Sequence, residues 1–326
     1  MRRRDVITLL GSAATAALSL AATSGLAATL PRVVFVAVGF GADRSAVDNI
    51  RGQLRQLGQL EGGSYALDIR AADDLARISE LAREIVQSAP DVILSINTRI
   101  VPALQSLTTR IPIVVAFTGD PIALGFTANR TRPTGTITGI EDFQDALIGK
   151  RLELAKALVP TARRVGLLHE RGNIGHDLVL ASAQKAAPGL GLEVVALGAQ
   201  SGDEIGRLLD QLPDRQADAL LVVSSPLILS ERGQIIRAEQ SLHLPAIHDL
   251  AFEVHDGALA AYGSDPALNF ERAAQYVDRL LHGARVAELP FDQPTHVTFA
   301  LNLTTARTIG LAIPPDVLAR ADEVVE

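Results

Sequence analysis

From residue 31 onward, short runs of β-branched and other apolar residues alternate with stretches whose apolar residues recur at helical spacing. No other feature restricts the fold as much. The first run, RVVFVAV at 32–38, ends at Gly39, Phe40 and Gly41. Residues 45–57 then place Val47, Ile50, Leu54 and Leu57 on one helical face and stop at Gly58. The unit recurs as 67–70 with 74–87 and as 91–95 with 98–107, and 113–117 supplies a fourth strand. After a break it returns, with strands at 164–168, 192–197, 219–223 and 246–248 and helices at 177–187, 203–211 and 229–242. Strands that are apolar at nearly every position are buried on both faces, as in a parallel sheet covered by crossover helices. The alternation predicts an α/β protein of two doubly wound, Rossmann-like lobes.

The lobes are joined by more than one passage of chain. Residues 136–140 and 257–262 read as strand-like crossings, 147–158 and 269–281 as helices, and 295–301 with 315–321 as a third crossing. The expected division is 31–141 plus about 258–290 for lobe 1 and 142–257 plus about 291–326 for lobe 2. Lobes assembled from discontinuous chain suit a hinge that bends without letting them drift apart.

Composition removes several classes of function. The 30 Lys and Arg against 37 Asp and Glu give a net charge of -7, with no basic stripe to track phosphates, so nucleic acid is not an expected partner. Aromatic residues are 4% of the chain and Trp is absent, which leaves little for a stacking platform. The absence of Cys excludes disulfides, thiolate metal sites, thiol nucleophiles and a Cys-linked lipid anchor. At the N-terminus, Arg2, Arg3 and Arg4 precede an apolar, Ala-rich run at 6–22 and small residues around Gly25, Leu26 and Ala27. This reads as a signal peptide at 1–27, similar to the twin-arginine type, with Sec and Tat routes both open. The expectation is a soluble periplasmic protein free of the membrane.

In open parallel sheets, ligands bind beyond the carboxyl ends of the strands, where loops and helix N-termini present unpaired N–H groups. In lobe 1 those positions are Gly39, Phe40, Asn97, Thr98, Thr118 and Asp120. In lobe 2 they are Asp142, His169, Asn173, Ser224, Ser225, His248 and Asp249, with Tyr262 at a crossing. Thr98 and Asp142 serve equally well as helix N-caps, and Asp120 before Pro121 as a turn former. His248 reads as a cleft wall or as a hydrogen-bonded core residue. The histidines show no metal-ligand spacing, the serines are not in GxSxG, and the G-x-G after the first strand lacks its third glycine. No metal, cofactor or catalytic set is expected.

Several segments in order carry a family resemblance: RRRDVITLLGSAA at the start, LGQLEG at 57–62, IPIVVAFTGDPIALGF at 111–126, GKRLELAKALVPTARRVGLL at 149–168, LPAIHD at 244–249 and LNLTTARTIGLAIPPDVLARADEVVE at 301–326. The chain resembles the ABC transporter substrate-binding proteins of the branch that includes aromatic amino acid binders. The resemblance implies a type I periplasmic-binding-protein fold closing on a small ligand, delivery to ABC permease subunits, and a monomer without enzymatic activity. A periplasmic sensor passing its signal to a receptor has the same fold and is the alternative. Two departures stand out: Arg99 follows Thr98 where relatives often have Pro, and His248, Asp249, Leu250 and Ala251 replace a stretch with an aromatic, Trp and Arg. An aromatic ligand is therefore not carried over, and Arg99 becomes a candidate carboxylate anchor. The expected ligand is a small zwitterion or carboxylate, its ammonium held by Asp120 and Asp142 and its carboxylate by Thr98, Thr118, Ser224 and helix N-termini.

Overall fold

The computed structural model describes residues 29–38, 44–72, 75–142, 144–212, 217–293 and 296–326. Gly39 and Phe40 lie outside these residues, as does the 1–27 segment. Among the described residues no helix is long and apolar enough to cross a membrane.

Lobe 1 is built on five parallel strands in the order β2-β1-β3-β4-β5: β1 (Arg32–Val38), β2 (Ala66–Ala72), β3 (Val92–Ser95), β4 (Ile113–Thr118) and β5 (Ile137–Glu141). β1 is buried from Val33 through Val38, and its side chains alternate between two cores. Val33, Phe35 and Ala37 pack with helix α1 (Arg44–Gln56), while Val34, Val36 and Val38 pack with α2 (Ile78–Gln87) and α3 (Val101–Leu107). A strand with both faces covered has no use for a polar face, which explains the unbroken apolar run.

Lobe 2 carries α4 (Gln144–Leu158), β6 (Arg164–Glu170), α5 (Ile174–Ala186), β7 (Glu193–Ala199), α6 (Gly202–Asp210) and β8 (Ala219–Val222). It continues with α7 (Pro226–Ser230), α8 (Arg232–Ser241), β9 (Ala246–His248), α9 (Phe252–His255) and β10 (Ala260–Gly263). After α10 (Pro266–Leu281) come β11 (Thr298–Asn302), α11 (Leu303–Thr308), α12 (Pro315–Leu318) and β12 (Glu323–Val325). Its seven strands run β12-β11-β10-β9-β8-β6-β7, parallel except between β10 and β11. The helix expected at 229–242 breaks in two at Glu231, whose ψ of 5° departs from helical geometry.

The later lobe boundaries differ from the expected ones, whereas the chain leaves the lobe 1 sheet after Glu141. Residues 136–140 are not a crossing: β5 completes the lobe 1 sheet against β4. β10 pairs with β9 and β11, so 260–263 belong to lobe 2, not lobe 1. Helix α10 then returns to lobe 1, where Ala273, Ala274 and Val277 join the core under β1 and α1. Phe291 and Asp292, expected in lobe 2, donate backbone hydrogen bonds to Arg130 and Gly139 of lobe 1 at 2.8 and 3.0 Å. The chain therefore passes between lobes after Glu141, after Gly263, and between Asp292 and Thr298. The first two passages touch, since the Ser264 hydroxyl donates to the Asp142 carbonyl at 3.5 Å. At Gly263 a Cβ would collide with the Asp249 carbonyl oxygen, so the start of the second passage lies closer to the loop after β9 than a side chain permits.

Candidate functional site: the cleft between the lobes

The facing strand ends enclose a cavity of about 650 Å³. The lobes also touch directly beside it. Ile174, at the start of α5, packs on the lobe 1 core that Val34, Val36 and Val38 share with α2 and α3. Thr98 Oγ1 donates to Asn173 Oδ1 at 3.2 Å, and Arg99 pairs with Glu170 at 3.0 Å. The lobes are thus closed on one another.

Seven of the residues expected from strand topology line the cavity: Asn97, Thr98, Thr118, Asp142, Asn173, Ser224 and Ser225. Most already have partners that shape the wall. Asn97 donates to the Val38 carbonyl at 3.0 Å and accepts from the Arg99 amide at 3.1 Å, tying β1 to the loop after β3. Asn173 and Ser225 cap α5 and α7, each accepting a backbone N–H. The Ser224 amide donates to Asp249 Oδ2 at 3.0 Å, and its hydroxyl bonds Asp249 Oδ1 and Glu253 Oε2.

Asp142 differs from these. Its carboxylate accepts the Gln144 amide at 3.3 Å and faces the cavity with capacity to spare. Burial, reinforced by Asp145 and Asp249, pushes its pKa up to about 7, against the pull of the Gln144 N–H and Arg151. Beneath it lies Arg151, whose Nε donates to the Tyr262 carbonyl at 2.7 Å. The side-chain oxygens of Gln144 and Asn49, two further wall residues, are buried without a hydrogen bond.

The rest of the wall is largely apolar, and it begins beside Asp142, since Phe117 and Leu250 line a small recess together with Asp142 and Gln144. Phe117 and Phe270 meet edge to face with centroids 5.1 Å apart, and Phe252, Leu229 and Leu250 approach from lobe 2. Strand-end reasoning missed these residues because Phe117 precedes the loop it lists and Phe270 arrives on α10, late in the chain. It also missed His176 on α5. The His176 Nδ1 accepts the Glu170 amide at 2.9 Å, and burial lowers its pKa to about 3, so the ring presents a neutral face to the cavity.

Five expected residues are not among those lining the cavity. Asp120 accepts from the Ile122 and Ala123 amides at 2.8 and 3.3 Å and pairs with Arg130 at 3.1 Å, so it forms the turn and holds its cation. His169 is buried in β6, where desolvation lowers its pKa. His248 has 0% exposure and sits between Glu239 and Glu253, 3.0 Å from each, as a satisfied core residue. Asp249 lies behind Ser224, and Tyr262 packs its ring on Phe299 in the lobe 2 core. Arg99, considered as a carboxylate anchor, is committed to Glu170. Among the described residues no cluster has the makings of a metal site.

Two mostly parallel-sheet lobes joined by three crossings and closed over a partly apolar cavity define a type I periplasmic binding protein. Residues 33–325 match the family described as ABC transporter substrate binding protein, and the chain belongs to that family. A tyrosine-binding protein of Clostridioides difficile is 25% identical over 259 residues, covering 79% of this chain and 74% of that protein. Two solved structures share the fold across 91% of this chain and 100% of theirs. One is a conserved domain protein from Vibrio cholerae, with 24% identity and a TM-score of 0.81. The other is an ABC domain from Streptococcus pneumonia in complex with L-Trp, with 21% identity and a TM-score of 0.80.

Proposed function

We propose that the protein is the periplasmic receptor of an ABC uptake system, exported by the twin-arginine-like segment at 1–27, and that its ligand is an α-amino acid with a large apolar side chain. The observation that carries this reading is that one cavity wall combines the Asp142 carboxylate with the phenyl rings of Phe117, Phe270 and Phe252. An ammonium on Asp142 makes a charge-assisted hydrogen bond, worth about 1.5 to 3 kcal/mol. The side-chain oxygens of Gln144 and Asn49 are additional acceptors on the wall. The phenyl rings bury an apolar side chain of the ligand. The ligands named for the Clostridioides and Streptococcus relatives, tyrosine and L-Trp, agree with this combination.

A thermal-shift screen of amino acids, aromatic acids, sugars and nucleosides tests the reading. A ligand at about 100 times its Kd stabilises the folded state by about 2.7 kcal/mol. Amino acids with large apolar side chains are expected to give the largest shifts. Calorimetry should then find Asp142→Asn at least tenfold weaker for the best amino acid, and its deaminated analogue should be weak against both proteins. Equal affinity of wild type for amine and deaminated analogue would remove Asp142 from recognition. Loss of uptake of that amino acid in a deletion strain with its permease intact supports delivery, whereas unchanged uptake points to sensing.

A further inference from the structure

We propose that Arg99 and Glu170 form a latch between the lobes that positions the closed cleft and sets its affinity, a role that rests on the reading of the cleft as a ligand trap. Arg99 stands in the loop between β3 and α3 of lobe 1, and Glu170 is the last residue of β6 in lobe 2. Their Nη2 and Oε1 atoms are 3.0 Å apart, and each side chain is only 3% exposed. The pair is therefore made across the lobe boundary and out of water.

Each partner is aimed by its own lobe. The Arg99 backbone amide is held by Asn97, which is itself anchored to β1. The Glu170 amide donates to His176 Nδ1, and its carboxylate receives the side chains of Asn173 and Ser225. Asn173, Ser225 and Thr98 all line the cavity, so the latch sits directly behind the wall that would hold a ligand. Neither Arg99 Nε nor Nη2 makes a hydrogen bond, so the approach of Nη2 to Glu170 is a contact of charges, and Glu170 is the carboxylate paired with this guanidinium.

Two consequences distinguish this pair from ordinary packing. An open cleft returns both charges to water, while a closed cleft buries them, so closing is tolerable only when they meet. Apolar contacts such as that of Ile174 accept a range of lobe angles, whereas two charges out of water require a lobe separation at which they meet. Arg99→Met then leaves a lone carboxylate in the closed form, and Glu170→Gln leaves a lone guanidinium. The double variant Arg99→Met/Glu170→Gln leaves neither, and it retains a carbonyl oxygen for Asn173 and Ser225. Apparent affinity scales with the fraction of molecules able to close.

The test exploits the absence of Cys, which makes an introduced pair uniquely labelled. Ser106→Cys in lobe 1 and Gln184→Cys in lobe 2, both exposed, carry spin labels in all four backgrounds, and the interlobe distance is measured without ligand and with saturating L-tryptophan or L-tyrosine. The latch predicts that each single variant shifts the distribution to longer distances, binds the probes at least tenfold more weakly, and is rescued by combining the two. A purely structural contribution predicts losses that add, with the double variant worst. Coincident distance distributions in all four proteins, or additive losses, overturn the latch. Ligand-driven closure falls separately if the wild-type distance does not respond to an amino acid that calorimetry shows to bind.

Discussion

Asp142 joins a raised pKa to a place on the cavity wall, and the pairing has a consequence in pH. Protonation competes with the ligand ammonium for the same carboxylate, so apparent affinity falls as pH drops through the free protein's pKa of about 7. With that value, an amine-bearing ligand should bind about tenfold more weakly at pH 6 than at pH 8, as calorimetry at the two pH values would show. Asp142→Asn should abolish the trend. Asp120→Asn should leave affinity within about twofold of wild type, because Asp120 serves its own turn and Arg130. Phe252 is half-exposed on the cavity wall, so Phe252→Ala should weaken an aromatic ligand by up to about tenfold with little change in melting temperature.

At the level of elements, His248 ties β9 to α8 and α9 through Glu239 and Glu253. Burial alone would lower its pKa, but the two carboxylates overcome that and raise it well above 6.5. The stabilisation is fully present below the unfolded value near 6.5 and is lost as pH rises through the folded value. His248→Gln should therefore be most destabilising near pH 6, with the difference from wild type shrinking at alkaline pH by at most about 1.4 kcal/mol per pH unit in denaturant titrations. His176 works in the opposite sense. Its folded pKa near 3 means that unfolding takes up a proton below about 6.5, so its contribution is lost on acidification toward pH 3. Strand ends and caps were legible in the sequence because they follow from local pattern: Asn97, Thr98, Asn173, Ser224 and Ser225 stand where apolar runs stop. For Asp120 and His248 the turn-forming and core roles stood beside cleft roles as alternatives, and the sequence could not choose, because only the fold brings Arg130 to one and two glutamates to the other.

On the scale of the whole molecule, the two-lobed architecture was readable from alternation, whereas the exact exchange of chain between lobes was not. Nothing in the local pattern of 260–263 says whether that strand completes the first sheet or the second; its pairing with β9 and β11 decides. Three adjacent crossings leave bending as the permitted large motion. Small-angle scattering should report a smaller radius of gyration on adding the best amino acid from the screen, and no compaction with a bound ligand would argue for a rigid cleft. The return of α10 to lobe 1 also governs when that lobe can fold. All five lobe 1 strands are complete by Glu141, yet the helix that packs under β1 and α1 spans Pro266–Leu281. Until that helix arrives, one face of a finished sheet is covered by α1 alone, leaving exposed apolar surface of the kind that drives aggregation during synthesis. The high contact order this imposes slows folding and holds the first lobe back until most of the second has been made. A chain cut after residue 142 should accordingly be insoluble on its own, and co-expression with a fragment spanning 144–326 should recover it.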